Sequence, residues 1–504
     1  MSTAQENLVP GDPYDAALAE NAHPMTWVSP TPAGRYDLVV IGGGTAGLVS
    51  ALGGAGVGAR VALVEKHLLG GDCLNYGCVP SKGVIRAARA VQSVREAGEF
   101  GVRVTEPQVD FAAAMARMRR VRARISKNDS AQRLRDHGID VFLGEARFVS
   151  SDAVEVAGAR LRFKRAVIAT GGRAANLPVA GLRETGYLTN ETIFSLTRLP
   201  PRLLVVGAGP IGCELAQAFR RLGSEVCVLT DGARVLPRED ADAAAIVEGA
   251  LRREGVRLEL RAKLVRVQSG PTGKTIVYER DGKEERAEGD EILVAAGRAP
   301  NVDGLGLEQA GVAFTKKGVQ VDDHLRTTNP RVLAVGDVAS RYQFTHAADA
   351  LARIALQNAL FFGRKRESAL VVPWCTYTDP EVAHVGLYEH EAKERGIAVE
   401  TITVRLDDVD RAVLDGETEG FARVHVGPKG RLLGATLVAR HAGESIGELS
   451  LAITAGLSMA DLAKTIHPYP TQAEAWKRAA DEWNRKRLTP RAKRFLSAVI
   501  GFRR

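Results

Sequence analysis

The most restrictive feature of the chain is a unit that occurs twice. A short apolar run, Tyr36–Ile41, leads into Gly42-Gly43-Gly44-Thr45-Ala46-Gly47, a helical stretch rich in Ala, Leu, Val and Gly, and a second apolar run, Val61–Val64, ending at Glu65. The same order returns as Leu203–Val206, Gly207-Ala208-Gly209-Pro210-Ile211-Gly212, a helical stretch through Arg221, and Val226–Leu229 ending at Thr230. The first glycine and the end of the second run lie 23 residues apart in both copies. A lone G-x-G-x-x-G is weak. Two at matched spacing, each between a buried-strand pattern and a helix, predict two βαβ units of the doubly wound α/β type.

Such glycines permit the tight turn and let backbone N–H groups approach a pyrophosphate at the helix N-terminus. Gly42, Gly44 and Gly47 then form one dinucleotide cradle, with Glu65 placed to accept hydrogen bonds from adenosine ribose hydroxyls. Gly207, Gly209 and Gly212 form the other. Two dinucleotide sites in one chain point to electron transfer between a flavin and a nicotinamide. A duplicated fold with one silent site is the bland alternative. At the second cradle Thr230 replaces the acid and Arg234 lies about a turn further on. A 2′-phosphate is not repelled there, and Arg234 could pair with it, which favours NADPH. Asp231, displaced by one position, could instead turn inward and serve the ribose of NADH.

The chain has 504 residues, enough for roughly three domains at about 150 residues each. With 45% hydrophobic and 25% charged residues it is not a disordered chain. The net charge of +8 is modest for this length, and no basic stripe is interleaved with aromatics, so nucleic acid is not an expected partner. No apolar run is long enough to cross a membrane, and the first 32 residues lack the pattern of a secretory signal. Five cysteines make no disulfide scaffold and fit a reducing cytoplasm.

Residues 1–35, without a helical or alternating period, read as an extended strap. The arginine-rich stretch Met115 to Arg135 reads as a solvated amphipathic helix face. From about Pro373 strands such as Ala422–Val426 and Leu432–Val438 alternate with helices, which predicts a third, α+β domain. The expected division is residues 36–184 and 303–368 for one dinucleotide domain, 185–302 for the other, 369–485 for the α+β domain and 486–504 for a basic tail.

Between the first unit and the next helix stands Gly70-Gly71-Asp72-Cys73-Leu74-Asn75-Tyr76-Gly77-Cys78-Val79-Pro80-Ser81-Lys82. Four residues separate the cysteines, close enough to bridge where the chain bends into a helix. A structural zinc site is the competing reading, but it needs four ligands and the other cysteines are scattered. A dithiol/disulfide redox centre, its thiolate stabilised by the helix N-terminus, explains the pair better.

With Glu65, this cysteine segment, the second fingerprint followed by Glu214, Ala295–Asn301 (AAGRAPN, containing Gly297) and Ala334–Val338 (AVGDV), the chain resembles the flavin-dependent pyridine nucleotide–disulfide oxidoreductases. These include dihydrolipoamide dehydrogenase, glutathione reductase and mercuric reductase. The resemblance spans Tyr36 to about Asn484. It implies an FAD domain interrupted by an NAD(P) domain and followed by a dimerisation domain, hence a homodimer. It also implies that Cys78 lies against the flavin as the thiolate and that Cys73 is the exposed interchange thiol. Lys82 and Glu214 resemble the ion pair beside flavin N5, Asp337 the ribityl-binding carboxylate, and Ala169-Thr170-Gly171, with Thr170 and Gly171 as cofactor contacts, the turn back into the flavin domain. Hydride would pass from the nicotinamide to the flavin, and electrons on to the cysteine pair.

The third domain discriminates within the family. Disulfide reductases carry a His-Pro-Thr segment followed by Glu, a pair that serves the partner subunit's cysteines as acid and base. Here the segment is His467-Pro468-Tyr469-Pro470-Thr471-Gln472-Ala473-Glu474. Aligning Pro470-Thr471 puts Tyr469 at the base position, with His467 two residues early and Glu474 in register. The tyrosine resembles mercuric reductase. A phenol is a poor base at neutral pH, but an ion bound by two thiolates needs no proton delivered to a leaving thiol. No cysteine precedes Cys73 or follows Cys375, so the metal-delivery cysteines of many mercuric reductases have no counterpart. The expected function is therefore transfer of electrons from NAD(P)H through FAD and Cys73/Cys78 to a metal ion or another thiophilic acceptor. Small-molecule disulfide reduction using His467 or Tyr469, and direct diaphorase-type transfer from FAD, are the alternatives. The basic tail, with Phe495, Leu496, Val499, Ile500 and Phe502 spaced among its cations, could form an amphipathic helix on an anionic membrane surface; the bland alternative is a helix covering the dimer or FAD domain, or a frayed end.

Overall fold

The computed structural model describes Leu8 and residues 10–32, 34–271, 273–361 and 363–503. Parts of the expected strap (1–7, 9 and 33) and residue 504 of the tail lie outside them. The chain forms two compact units, one running to Ala233 and including Glu254–Leu370, the other joining Arg234–Arg253 to the chain from Val371 onward.

In the first unit the strands Ile139–Leu143, Val61–Glu65, Arg35–Ile41, Ala159–Ile168 and Val332–Ala334 lie side by side, all parallel. Their near-continuous apolar runs are explained by burial on both faces. Leu38, Val40, Val61 and Leu63 enter one core, while Val39, Ile41, Ala62 and Val64 enter the core on the opposite face. Val332–Ala334 reaches this sheet only after the whole second βαβ unit has intervened. That unit builds its own parallel sheet from Arg257–Glu259, Glu225–Leu229, Arg202–Val206 and Glu291–Val294. An antiparallel three-stranded sheet, Lys263–Gly270, Gly273–Arg280 and Lys283–Gly289, shares its core through Val267, Ile276, Tyr278 and Ala287.

Two sequence expectations fail here for one reason. The strap is not extended throughout: Pro13–Ala22 is a helix whose N-cap, Asp12, accepts from the N–H groups of Tyr14 and Asp15 at 2.9 Å each. Nor is the arginine-rich helix, Phe111–Ser126, wholly solvated, because Arg119 and Arg122 are both buried. Arg119 donates to Asp12 at 2.6 Å and Arg122 to Asp15 at 2.7 Å. Each helix conceals charged residues whose counter-ions lie on or just before the other, so apolar periodicity shows neither.

The second unit is an antiparallel sheet in the order Trp374–Thr376, Glu381–Gly386, Leu432–Ala439, Phe421–Val426, Glu400–Arg405. The helices Ala442–Thr454 and Glu474–Arg487 cover it with Ile446, Leu449, Trp476, Ala479 and Trp483. The range 185–302, read from sequence as one domain, is divided: 234–253 joins this second unit. Polar anchors account for it. Buried Glu239 accepts from Tyr388 Oη at 2.6 Å and Trp374 Nε1 at 2.9 Å, and Arg423 pairs with Asp240 at 2.9 Å. The last helix, Pro490–Phe502, buries none of its residues.

Candidate active site

The two fingerprints share one geometry. A Cβ at Gly42 would stand 2.3 Å from the Ala169 carbonyl oxygen, and one at Gly47 would stand 1.8 Å from that of Gly42. The equivalent approaches at Gly207 and Gly212 are 2.6 Å to Ala295 O and 2.0 Å to Gly207 O. At both places strand, turn and helix come together too closely for any side chain. The middle glycines differ: a Cβ on Gly44 would meet nothing nearer than Gly71 Cα at 3.6 Å, and one on Gly209 nothing within 4 Å. The turns therefore close on themselves at the outer glycines and stay open at the middle one, where a pyrophosphate needs the backbone. Both cradles fit dinucleotides. Glu65 is fixed at the lip of the first by N–H groups of Gly43 (2.5 Å) and His67 (2.7 Å), with lone pairs left for ribose hydroxyls.

The cysteine segment is packed directly on the first cradle. A Cβ at Gly71 would lie 2.5 Å from Gly44 Cα, and Gly70 and Gly71 take φ of +89° and +57°. Cys73 falls in the short helix Gly71–Asn75, and Cys78 opens the helix Cys78–Glu96. Both are free cysteines, and each perturbs the other's ionisation. Cys78 is pulled down to a pKa of about 6, chiefly because Cys73 donates to it, with the Thr345 hydroxyl 3.3 Å away and the Lys82 charge adding to the effect. Cys73 is pushed up, because its hydrogen bond holds the proton and burial disfavours its charge. Cys78 is exposed at the start of its helix and Cys73 is half-buried.

Lys82, one turn beyond Cys78, pairs at 2.8 Å with Glu214, buried on the helix of the second fingerprint. One ion pair thus ties the cysteine helix to the second dinucleotide unit. Thr170 and Gly171 are stapled to Asn301: the Thr170 hydroxyl donates to its carbonyl at 2.7 Å, and its N–H donates to Gly171 O at 2.9 Å. Gly297, at φ +107°, accepts from Ala175 N–H at 3.1 Å. Asp337 follows Gly336, which faces Ala46 in the first fingerprint helix, and burial raises its carboxyl pKa.

Two contributors escaped the sequence reading. Arg298 lies 3.3 Å from both Asp72 and Asp337, joining the residue before Cys73 to the carboxylate beside the first cradle. Its adjacency to Gly297 was the available signal. Thr345 had none, being 267 residues from Cys78 in sequence.

Other expected residues are placed differently. Arg234 donates to the carbonyls of Glu239 at 2.7 Å and Pro237 at 2.9 Å, so its guanidinium is turned into its own loop. The Thr230 hydroxyl accepts from Gly232 N–H at 3.2 Å. Neither Tyr469 nor His467 pairs with Glu474. His467 Nε2 meets Glu448 at 2.9 Å. Tyr469 donates to Asp410 at 2.8 Å, which raises its phenol pKa; Arg478 then links Asp410 (2.9 Å) to Glu474 (3.1 Å). Among the described residues no three His, Cys, Asp or Glu side chains gather as metal ligands.

Comparison with known proteins agrees with this geometry. The family described as pyridine nucleotide-disulphide oxidoreductase matches residues 36–352, and its dimerisation domain matches 372–480. The mercuric reductase of Lysinibacillus sphaericus is 36% identical over 469 residues, 93% of this chain and 86% of that protein. The dihydrolipoyl dehydrogenase of Bacillus subtilis is 34% identical over 453 residues, 88% of this chain and 96% of that protein. The solved HOCl-induced flavoprotein disulfide reductase RclA of Escherichia coli superposes with a TM-score of 0.79 at 30% identity, covering 88% of this chain and 99% of that one. The chain therefore belongs to the pyridine nucleotide-disulphide oxidoreductases, flavoprotein enzymes that use FAD and NAD(P)H.

Proposed function

We propose that the protein, as a homodimer, uses NAD(P)H to reduce a thiophilic metal ion at Cys73 and Cys78. FAD, when bound in the first cradle, supplies the two-electron relay between nicotinamide and sulfur. The chain's own residues prepare the sulfur. Cys73 S–H, Thr345 Oγ1 and the Lys82 charge keep Cys78 as a thiolate near neutral pH, and Arg298 holds Asp72 next to Cys73. A soft divalent ion bound by both sulfurs takes two electrons, NAD(P)H becomes NAD(P)+, and one proton is released. No leaving thiol has to be protonated.

The observation that carries this reading is the proton chemistry around Tyr469. Its phenol is a donor to Asp410, with a pKa raised above the usual tyrosine value, and Glu474 is engaged by Arg478. Such an arrangement suits an acceptor that needs no general base. Mercuric reductases among the relatives support it, as does the Escherichia coli reductase of the same fold, which is also known as a Cu(II) complex. The test is NADPH oxidation by the purified holoenzyme with thiol-complexed mercuric ion, beside Cys73→Ala. Metal-stimulated turnover lost in the variant is expected; faster turnover of glutathione disulfide or lipoamide would overturn the reading.

A second reading has its own observation. His467 and Glu448 form a histidine–carboxylate pair at 2.9 Å, the kind of acid that reduction of a small-molecule disulfide requires. Dihydrolipoyl dehydrogenases among the relatives favour it.

A further inference from the structure

The helix Pro490–Phe502 begins beyond the matched dimerisation domain, which ends at residue 480. Thr489 caps it by accepting from Ala492 N–H at 3.2 Å, and Pro490 occupies the first turn. None of its residues is buried, and Phe495 and Phe502 are 69% and 94% exposed. A helix of 13 residues is marginal in water without a surface to receive its apolar side.

Its two sides are chemically distinct. At 100° per residue, Phe495, Leu496, Val499, Ile500 and Phe502 fall on one continuous arc. Arg491, Lys493 and Arg494 fall on the remainder, and Arg503 follows the last turn. Among the described residues none of these four cations has an ion-pair partner. No Asp or Glu occurs after Glu482. A protein surface that covered this helix would have to supply both an apolar groove and several acids. An anionic lipid interface supplies both in one plane: acyl chains below, headgroup charge around the rim.

We propose that this helix lies in the interfacial plane of an anionic membrane and holds the oxidoreductase peripherally on it. Phe495, Val499 and Ile500 enter the acyl boundary while Arg491, Lys493 and Arg494 remain among the headgroups. The chain attaches without spanning, because among the described residues no helix is long and apolar enough to cross a membrane.

The test is vesicle flotation of the full-length holoenzyme, using phosphatidylcholine alone and phosphatidylcholine with about one-third phosphatidylglycerol. Binding to the anionic vesicles is expected to be about tenfold stronger and to fall as salt is raised. Phe495→Glu with Ile500→Glu, and separately Arg491→Gln with Lys493→Gln and Arg494→Gln, should each lower it by about tenfold. FAD content and NAD(P)H oxidation should be unchanged in both variants. Equal binding to the two vesicle types, or none, overturns the proposal. So does a change in sedimentation coefficient of the apolar-face variant, which would mean that the helix covers a second copy of the chain.

Discussion

Arg122 and Asp15 form an ion pair at 2.7 Å in which the two side chains are 5% and 1% exposed. A second guanidinium nitrogen of Arg122 donates to the carbonyl of Asn75 at 2.9 Å, two residues from Cys73. Asn75 in turn donates to the carbonyl of Gly71 at 2.8 Å, the glycine that packs on the first cradle. The N-terminal helix, which precedes the matched family region starting at residue 36, therefore reaches the redox segment through one arginine. Asp15→Ala leaves a buried guanidinium without its counter-ion, at a cost of about 3–5 kcal/mol. The expected result is a clear fall in Tm, together with faster proteolysis around residues 71–77, read by limited digestion and mass spectrometry. A fall in Tm with unaltered cleavage there would separate the helix from the cysteine segment and sink the idea.

In the reduced apoprotein Cys78 should be the alkylated sulfur, with a rate that titrates near pH 6, because its thiolate is stabilised by Cys73, Thr345 and Lys82. Removing a hydrogen bond or charge that favours the thiolate moves the midpoint up, so Thr345→Val and Lys82→Met should each shift it toward the ordinary thiol range. The linkage has a definite sign. A depressed folded-state pKa stabilises the reduced protein above the ordinary thiol pKa, and that contribution is lost as pH falls through about 6. Iodoacetamide labelling from pH 5 to 9 checks this, and a midpoint at the usual thiol value would refute it.

The glycines of each fingerprint should fail in different ways. Gly47→Ala forces a Cβ to 1.8 Å from Gly42 O and should prevent folding, whereas at Gly209 a Cβ meets nothing within 4 Å. Gly209→Ala should keep its Tm and its bound FAD while the KM for NAD(P)H rises by about tenfold, roughly 1.4 kcal/mol. Loss of FAD from the Gly209 variant would contradict the assignment of the second cradle to the nicotinamide coenzyme.

Arg234 was the sequence argument for NADPH, but it spends two donors on carbonyls of its own loop. Arg234→Ala is therefore expected to lower Tm and to change the NADPH/NADH ratio of kcat/KM by no more than about twofold. Comparing both coenzymes on the variant decides it. A collapse of the ratio would restore the phosphate role.

The parallel-sheet architecture was legible because it is written in local pattern. Glycine spacing and double-sided apolar runs such as Val61–Val64 leave little choice of structure. Cys73, Cys78 and Lys82 were legible because they share one segment. What sequence could not show was satisfaction at a distance. Asp15 and Arg122, 107 residues apart, read separately as a polar strap and a solvated face. Thr345 carried no signal, and Glu239 sat inside an apparently continuous domain although Tyr388 and Trp374 hold it in the other unit. Arg234 shows the converse: a residue at a persuasive position that also bonds carbonyls of its own loop.

Tyr469 and His467 should separate the two candidate reactions. Tyr469 is exposed and its hydroxyl donates a hydrogen bond to Asp410, so it is a donor with little capacity as a base. His467 sits against Glu448 at 2.9 Å, the geometry of a histidine–carboxylate pair. If the acceptor is a metal ion, His467→Ala should leave kcat within about twofold, since no thiol needs protonating, and Tyr469→Phe should act mainly on KM. If the acceptor is a disulfide, His467→Ala should cost about 100-fold or more in kcat, the usual scale for losing a general acid. Running both variants against mercuric ion and glutathione disulfide gives four rates. A large His467 effect on metal turnover would contradict the proposed function, because proton delivery would then be part of a reaction argued to do without it.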